Sequence, residues 1–436
     1  MTFFFTLVFM FLVFWRPQEW LMPWLYGWPM LDAVVGLSLL ALLMEIDQGR
    51  INFPKRNAPV YLLIGLWAAA VMSHVVHTYF AGMTFTMKEV FKICFFTFLV
   101  YCILDSNRKL RRVALVFVAS ACVMGAHAIL QEKRGYGFAG IPPLHIPAIG
   151  MRAPHTRTVF FGIFSDPNDM AQMLVATVPL VFALPKRHSP FSLLLCTLLA
   201  AFLVRAYFTT HSRGGLVGLI AVGAILLMLR TPSRWIPYLA GAGLVVALGI
   251  CATFGASLLD ASARERVVFW GYGNMAFKQN LIFGIGYEMY WLISYGRPAH
   301  NAFVTCYTEL GVVGYWMWFS LLLLGVVGTW RVRLAMEDQT GEEQAWLYRF
   351  SGLALASLGG FAASAYFPSR KFVFPLFFLL AVVNSITRAA DAYLPENHEP
   401  VIQPRRDLFG YGTLATLGSI AYIYLSILFL NRGYGG

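Results

Sequence analysis

Apolar runs of roughly 20 residues recur from one end of this chain to the other, and they constrain its fold more than any other feature. As a helix, a run of about 20 residues crosses the ~30 Å hydrocarbon layer of a membrane. A transmembrane β-barrel would instead show segments of ~10 residues that alternate apolar and polar side chains, and the sequence lacks that alternation. The sequence therefore predicts an all-α, polytopic integral membrane protein.

The composition excludes an ordinary soluble protein. Hydrophobic residues make up 58% and charged residues 12% of the chain, whereas a soluble domain has about 25% charged residues. A soluble chain of 436 residues cannot place so much apolar surface in one core. The net charge of +12 would suggest a nucleic-acid partner in a soluble protein. In a membrane protein it indicates either an excess of Lys and Arg on cytoplasmic loops or a site for an anionic, lipid-linked substrate, and no nucleic-acid partner is expected.

Hydropathy divides the chain into about 12 or 13 transmembrane helices, which form a single helical domain over residues 1–436. The predicted spans are 2–15, 30–46, 58–77, 89–104, 113–130, 168–184, 190–207, 213–230, 235–255, 302–329, 350–366, 372–388 and 408–430. The first apolar run, Phe3–Phe14, lacks a basic start and a small-residue cleavage site, so we interpret it as a membrane helix rather than a signal peptide. The six cysteines have no CxxC pair, which favours small buried side chains over disulfides or metal ligands.

Basic clusters fall at alternate boundaries between the predicted spans, which is the positive-inside pattern. These clusters are Arg50–Lys55–Arg56, Arg108–Lys109–Arg111–Arg112, Lys186–Arg187, Arg230–Arg234, Arg331–Arg333 and Arg388–Arg405–Arg406. The pattern predicts that they face the cytoplasm and that the first helix starts inside.

Two connections are longer than the others, residues 131–167 and 255–300, and this orientation places both on the outer side. They break the positive-inside trend, because they carry Lys133, Arg134, Arg152, Arg157, Arg264, Arg266, Lys278 and Arg297. An anionic ligand is the simplest reason to keep so many cations there. The alternative is that the arginines are solvated or face lipid headgroups.

Three motifs stand at the starts of helices that run from the outside to the inside: Phe164–Met170 (FSDPNDM), His211–Leu219 (HSRGGLVGL) and His300–Gly314 (HNAFVTCYTELGVVG). The local sequence predicts an N-cap at each start. The predicted caps are Asp166 before Pro167, Ser212, and either Asn301 or His300. The three helix N-termini are therefore expected to share the outer surface, where they could converge.

Arg213 is the strongest candidate for a functional cation, because a charge beside an apolar helix is costly and usually functional. A helix N-terminus attracts anions, and Gly214 and Gly215 after Arg213 leave no side chain to keep a phosphate from the backbone. The alternative is an arginine that reaches to the headgroups or caps a carbonyl.

The other candidates each have a structural alternative. Arg266 lies four residues before Trp270 and alone would be a surface arginine. A lone histidine such as His300 is more often structural than catalytic. Glu309, inside an apolar helix, is either paired with a buried cation or functional.

Two weaker signals predict no cofactor. Gly284-Ile285-Gly286 has no strand before it, so no nucleotide site follows. Asp166 and Asp169 have the spacing for a hard cation, but no second carboxylate cluster supports a metal site.

Together these motifs resemble the O-antigen ligase and O-antigen polymerase superfamily of bacterial inner-membrane glycosyltransferases. The resemblance covers most of the chain and is clearest from about Phe160 to Gly314. Its carriers are Asp166-Pro167-Asn168, Ser212-Arg213-Gly214-Gly215, Arg266 with Trp270, Gly284-x-Gly286, His300-Asn301, Glu309-x-Gly311 and Gly314. The stretch Arg16–Trp20 (RPQEW) is similar to one branch associated with exopolysaccharide export.

The resemblance implies a multi-helix fold in the inner membrane, with residues 131–167 and 255–300 as periplasmic loops over an outward-facing cavity. It implies transfer of a glycan from undecaprenyl diphosphate to an acceptor sugar hydroxyl, either polymerising repeat units or ligating them to lipid A-core. The second loop is compact for a ligase, which leaves the acceptor open.

By matching motif, Arg213 and Arg266 would bind the diphosphate and His300 would help to activate the acceptor. The further substrate-binding candidates are Arg264, Arg152, Ser212, Gly214, Gly215, Asn168, Asp166, Asn301 and Glu309. No metal and no other cofactor is expected. The sequence leaves two alternatives, a transporter or flippase of lipid-linked oligosaccharides and a scaffold subunit of an envelope complex.

Overall fold

A computed structural model describes residues 1–51, 58–147, 155–184, 189–231, 261–395 and 398–432, with the backbone alone described for residues 261–264. The regular structure of these residues is almost entirely helical, which confirms the all-α fold class. The exception is a short antiparallel hairpin of β1 (Leu144–Ile146) and β2 (His155–Arg157), in which His145 pairs with Thr156.

Thirteen longer helices form most of the described chain. They are α1 (Thr2–Trp15), α3 (Met30–Asp47), α4 (Ala58–Val75), α5 (Phe80–Ile103), α6 (Asn107–Arg134), α7 (Pro167–Val181), α8 (Pro190–Phe208), α9 (Arg213–Met228), α10 (Ala261–Gln279), α12 (Ala302–Ala335), α13 (Glu342–Ser364), α14 (Phe374–Ala390) and α15 (Thr413–Arg432). The short helices are α2 (Pro17–Trp20) and α11 (Tyr290–Ile293), and a π-helical stretch, Arg405–Gly412, leads into α15.

Twelve of the predicted spans coincide with one of these helices, and the thirteenth, 235–255, lies outside the described residues. Several helices extend beyond the predicted apolar part. Helix α5 starts at Phe80 rather than at residue 89, and α13 starts at Glu342 rather than at residue 350. Hydropathy marks the apolar part of a helix, whereas backbone hydrogen bonding continues through the polar turns beside it.

Within the described residues, five helical stretches are long and apolar enough to cross a membrane. They are Ala58–Val75, Asn107–Arg134, Pro190–Phe208, Ala302–Ala335 and Arg405–Arg432. Shorter apolar helices are α1, α9 and α14. Of the six cysteines, the five in the described part are free thiols, and Cys251 lies outside it.

Helix α12 is the central element, since it packs against α4, α10, α13, α14 and α15. It is interrupted at Gly311, whose φ of 65° and ψ of −168° are not helical. The connection after α10 takes over the hydrogen bonds lost there. Val312 N donates to the Leu281 carbonyl over 2.8 Å, and Ile285 N donates to the Thr308 carbonyl over 3.0 Å.

This pairing explains two of the glycine motifs. Gly284 has a φ of +70°, and a Cβ there would lie 2.3 Å from the Glu309 carbonyl carbon. A Cβ at Gly311 would lie 2.3 Å from the Ile282 carbonyl oxygen. Both positions therefore require glycine, because two backbone segments touch with a conformation that other residues rarely adopt. Gly284-x-Gly286 and Glu309-x-Gly311 are two halves of one contact.

Candidate active site at three helix starts

The side-chain caps predicted for the three helix starts are confirmed. Asp166 accepts from Asn168 N over 2.7 Å at the start of α7, and Ser212 Oγ accepts from Gly215 N over 3.2 Å at the start of α9. At the start of α12 the cap is Asn301 rather than His300. Its Oδ1 accepts from the backbone N of residues 303 and 304, over 3.0 and 3.2 Å.

The starts of α7 and α9 are joined directly. Ser212 Oγ donates to Asn168 Oδ1 over 2.8 Å. Arg157, on β2, donates from Nη2 to the same Asn168 oxygen over 3.0 Å and from Nε to the Thr210 carbonyl over 2.8 Å. The hairpin is thus fastened to both helix starts through Arg157, one of the cations that the sequence predicts to face outward.

The start of α12 joins them through residues 365–373, the connection between α13 and α14. Ala302 N donates to the Ala365 carbonyl over 2.9 Å, and His300 N donates to Ser369 Oγ over 2.6 Å. On its other side, this connection places the Phe367 side chain where a Cβ of Gly214 would lie, at 2.6 Å. The three helix starts therefore meet around residues 365–373. The sequence predicts that the starts share one side, where they could converge, but not the connection that joins them.

His300 is half-buried and has a left-handed backbone conformation, with a φ of 52°. Burial lowers the pKa of its imidazole below the ordinary value, and the Arg266 cation lowers it further. Asp166, the Phe367 backbone carbonyl and Glu265 act in the opposite direction but do not reverse the shift. The imidazole is therefore neutral at pH 7, the form that can accept a proton.

Arg266 is brought to His300 by α10. One turn further along this helix, Trp270 Nε1 donates to the Ala299 carbonyl over 2.6 Å, which ties α10 to the residue before His300. Arg266 is close enough to lower the pKa of His300 and, after the larger effect of burial, that of Arg157. These two cations and the imidazole thus share one electrostatic environment.

Arg213 is the first residue of α9 and is exposed at the same convergence. The two glycines after Arg213 are explained by packing within the protein, whereas the sequence suggested close approach of a phosphate. Both are buried, and a Cβ at Gly215 would lie 2.5 Å from the Tyr207 ring. The missing side chains leave room for Phe367 and Tyr207 rather than for a phosphate. Substrate binding by Gly214 and Gly215 stays a prediction.

The carboxylates of the motifs are engaged within the protein. Asp169, 7% exposed, forms an ion pair with Arg370 at 3.2 Å from Nε to Oδ2. Glu309, 1% exposed, forms an ion pair with Lys371 at 2.5 Å and accepts from Glu288 N over 2.7 Å. Of the two alternatives for Glu309, the structure shows the buried ion pair, and its role in substrate binding stays a prediction.

Lys371 is as deeply buried as its partner, with 1% of its surface exposed. Burial alone would lower the pKa of its amine, but the carboxylates of Glu309 and Glu288 reverse this and raise the pKa above its ordinary value. The amine is therefore protonated. Its Nζ also lies 4.7 Å from the centre of the Tyr287 ring.

Sequence reasoning missed residues 365–373. The sequence marks this connection only by a pair of adjacent cations, Arg370 and Lys371, between two apolar runs. Two other predicted contacts remain predictions, because Arg152 and the Arg264 side chain lie outside the described part of the chain.

A cavity of about 310 Å³ lies elsewhere, among α1, α3, α5 and the first residue of α14. Arg16 and Lys92 are among its lining residues, and it contains none of the predicted site residues. The candidate functional residues therefore meet where the three helix starts converge and not in this cavity.

Residues 194–319 match the family model described as O-antigen ligase. The resemblance to the O-antigen ligase and polymerase superfamily is confirmed. The match includes Ser212–Gly215, Arg266 and His300–Gly314, and it ends before residues 365–373. It covers less than a third of the chain. No curated protein matches the chain.

Replacing Lys371 by Met tests the buried ion pair. The variant leaves the Glu309 carboxylate buried without its cation, which costs about 3–5 kcal/mol of stability. We expect a lower melting temperature in detergent, measured by intrinsic fluorescence. The double variant Lys371→Met/Glu309→Gln removes both charges and should regain most of that loss. Equal destabilisation in the single and the double variant would contradict the pairing.

Proposed function

We propose that this protein transfers a glycan from an undecaprenyl-diphosphate carrier to a sugar hydroxyl on the periplasmic face of the bacterial inner membrane. The observation that supports this most is the convergence of Arg266 and a neutral His300 beside the start of α9, within the stretch that matches the O-antigen ligase family. The orientation follows from the basic clusters at the opposite helix ends. The acceptor is either another lipid-linked repeat or a lipid A-core sugar.

In the proposed reaction, the bond between the donor's anomeric carbon and its diphosphate oxygen breaks, and a bond to the acceptor oxygen forms. Negative charge develops on the departing diphosphate. Arg213 and Arg266 would stabilise it, and fixed groups aimed at developing charge are worth ~10²–10³ in rate for each donor removed. These two guanidinium groups supply the positive charge that the leaving group requires.

His300 would take the proton of the acceptor hydroxyl as that oxygen attacks, and would then release it to solvent. A single displacement of this kind inverts the configuration at the anomeric carbon. General base catalysis by a positioned imidazole contributes ~10²–10⁴ in rate. Burial and Arg266, which keep the imidazole neutral, suit it to this role.

The helix starts contribute unequally. At each of the three starts the cap already uses first-turn N–H groups, those of Asn168 in α7, Gly215 in α9 and residues 303 and 304 in α12. The start of α9 differs, because an exposed cation, Arg213, is its first residue. We therefore assign the diphosphate to the α9 start, between Arg213 and Arg266, rather than equally to all three helices.

A transporter or flippase of lipid-linked oligosaccharides remains the second candidate. It shares the need for a diphosphate site but places no proton-accepting group beside it. A flippase therefore predicts that His300 is dispensable.

Replacing Arg213 or Arg266 by Ala should lower the rate of glycan transfer from a lipid-linked donor by about 10²–10³. The matched control is Arg205→Ala, because Arg205 is an exposed arginine at the end of α8 that forms an ion pair with Glu132. The control should keep its activity. Full activity of both test variants, in protein that inserts correctly, would exclude the proposed diphosphate site. Loss of wild-type activity with a chelator would instead support a metal at Asp166 and Asp169.

The pH dependence tests the base. The pKa of His300 lies below the ordinary histidine value, and only the neutral imidazole accepts the proton. The rate should therefore be constant near pH 7 and fall on acidification, with a midpoint below about 6.5. His300→Ala should lose ~10²–10⁴ in rate together with this acid limb, whereas His145→Ala on the exposed hairpin should keep both. A rate that rises on acidification would contradict a base at His300.

A further inference from the structure

The connection of residues 365–373 contacts the backbone of His300. The His300 backbone N–H donates to Ser369 Oγ over 2.6 Å. The backbone of Phe367, two residues earlier, acts to raise the pKa of the imidazole, although burial and Arg266 outweigh it. One short segment therefore lies beside this histidine and restrains its backbone.

His300 needs such a restraint. Its φ of 52° lies in the left-handed region, which costs a residue other than glycine of order 1–3 kcal/mol and persists only where the surroundings impose it. The next residue, Asn301, is fixed as the cap of α12. The hydrogen bond to Ser369 holds the peptide on the other side of the strained Cα.

The segment is itself anchored in two helices. Arg370 forms the ion pair with Asp169 of α7 and donates to the Ile163 carbonyl over 3.2 Å. Lys371 forms the buried ion pair with Glu309 of α12, and its carbonyl accepts from Trp318 Nε1 over 3.1 Å. The contact to His300 therefore comes from a segment held at its far end by two ion pairs, of which the one between Lys371 and Glu309 is fully buried.

The restraint also acts on the imidazole, because the ring is attached to the restrained Cα. A base that is oriented in turn by a third group is the recurring arrangement around activated nucleophiles. Here the third group is the Ser369 hydroxyl, which acts through the His300 backbone.

We propose that Ser369 positions His300 by restraining its strained backbone, so that the imidazole faces the acceptor hydroxyl. The inference rests on the proposed function, in which His300 is the base. Ser369 is a positioning residue, since it acts through its hydrogen bond to the histidine backbone. The charged groups that face the ring are Arg266 and Glu265 from α10 and Asp166 before α7.

The test is a set of substitutions at Ser369, with glycan transfer measured against donor concentration. Ser369→Ala loses one hydrogen bond to His300, so we expect kcat to fall about 5–10-fold, with KM for the donor unchanged. Ser369→Thr keeps the hydroxyl and should restore most of the rate. Ser369→Cys, which is nearly isosteric but a weak acceptor, replaces the alanine variant if that one does not fold.

The matched control is Ser351→Ala. Ser351 is fully buried, whereas Ser369 is half-buried. The Ser351 hydroxyl donates to the Leu347 carbonyl within α13, so its loss should leave kcat unchanged.

A second measurement does not depend on activity. Diethylpyrocarbonate modifies neutral imidazoles, and its rate at His300, followed by mass spectrometry across pH, reports the exposure and pKa of this ring. In Ser369→Ala we expect faster modification of His300 and an apparent pKa displaced from that of the wild type, with Ser369→Thr like the wild type.

The outcomes separate the two claims. If His300→Ala keeps full activity, the proposed function fails. If His300→Ala is inactive but Ser369→Ala retains its kcat, the positioning role is overturned, whatever the modification rate. An equal loss of kcat in the alanine and threonine variants would also overturn it, because a simple packing defect would then explain both.

Discussion

The ion pair between Lys371 and Glu309 is the interaction on which the candidate site depends. Each side chain is 1% exposed, and desolvation makes such a pair costly unless its remaining polar atoms are satisfied. Glu309 meets that condition by accepting from the backbone N of residues 288 and 290, over 2.7 and 3.1 Å. One carboxylate therefore joins α12, the segment after α10 and the connection between α13 and α14.

The interruption of α12 at Gly311 makes this junction possible. A continuous helix would use the carbonyls of Thr308 and Glu309 for its own hydrogen bonds. Here they accept from Ile285 N and Gly286 N over 3.0 and 3.1 Å. Because an unsatisfied backbone group is costly in an apolar environment, the break and the segment paired with it form one unit. That unit joins α12, which begins just after His300, to the segment that follows α10, the helix that carries Arg266.

The part of this arrangement that depends on local chemistry could be predicted from the sequence. The helices follow from hydropathy, and the N-caps Asp166, Ser212 and Asn301 follow from side chains that bond to N–H groups two or three residues later. That the three starts lie on the same side follows from counting spans. These signals act within a few residues or along one helix, so one sequence is sufficient to find them.

The remainder depends on contacts between distant segments, and no local pattern reports them. Lys371 and Glu309 are far apart in the sequence, as are Ser369 and His300. The glycines after Arg213 show that a local pattern can also suggest the wrong reason for a residue. Two glycines after a cation fit an open phosphate site, but the side chains of Phe367 and Tyr207 fill the space beside them. The sequence also does not report which cations are held within the protein. Arg157 donates to Asn168 and to the Thr210 carbonyl, and the side chain of Arg213 is exposed.

The most direct test of the account is to look for a covalent product. Purified protein in vesicles would be given a lipid-linked glycan donor and a hydroxyl-bearing acceptor, and the products would be separated by mass. The account predicts a new glycosidic bond with inverted anomeric configuration, together with release of undecaprenyl diphosphate. Movement of intact donor across the bilayer without any new bond, by protein that is folded and correctly inserted, would contradict it and indicate a flippase.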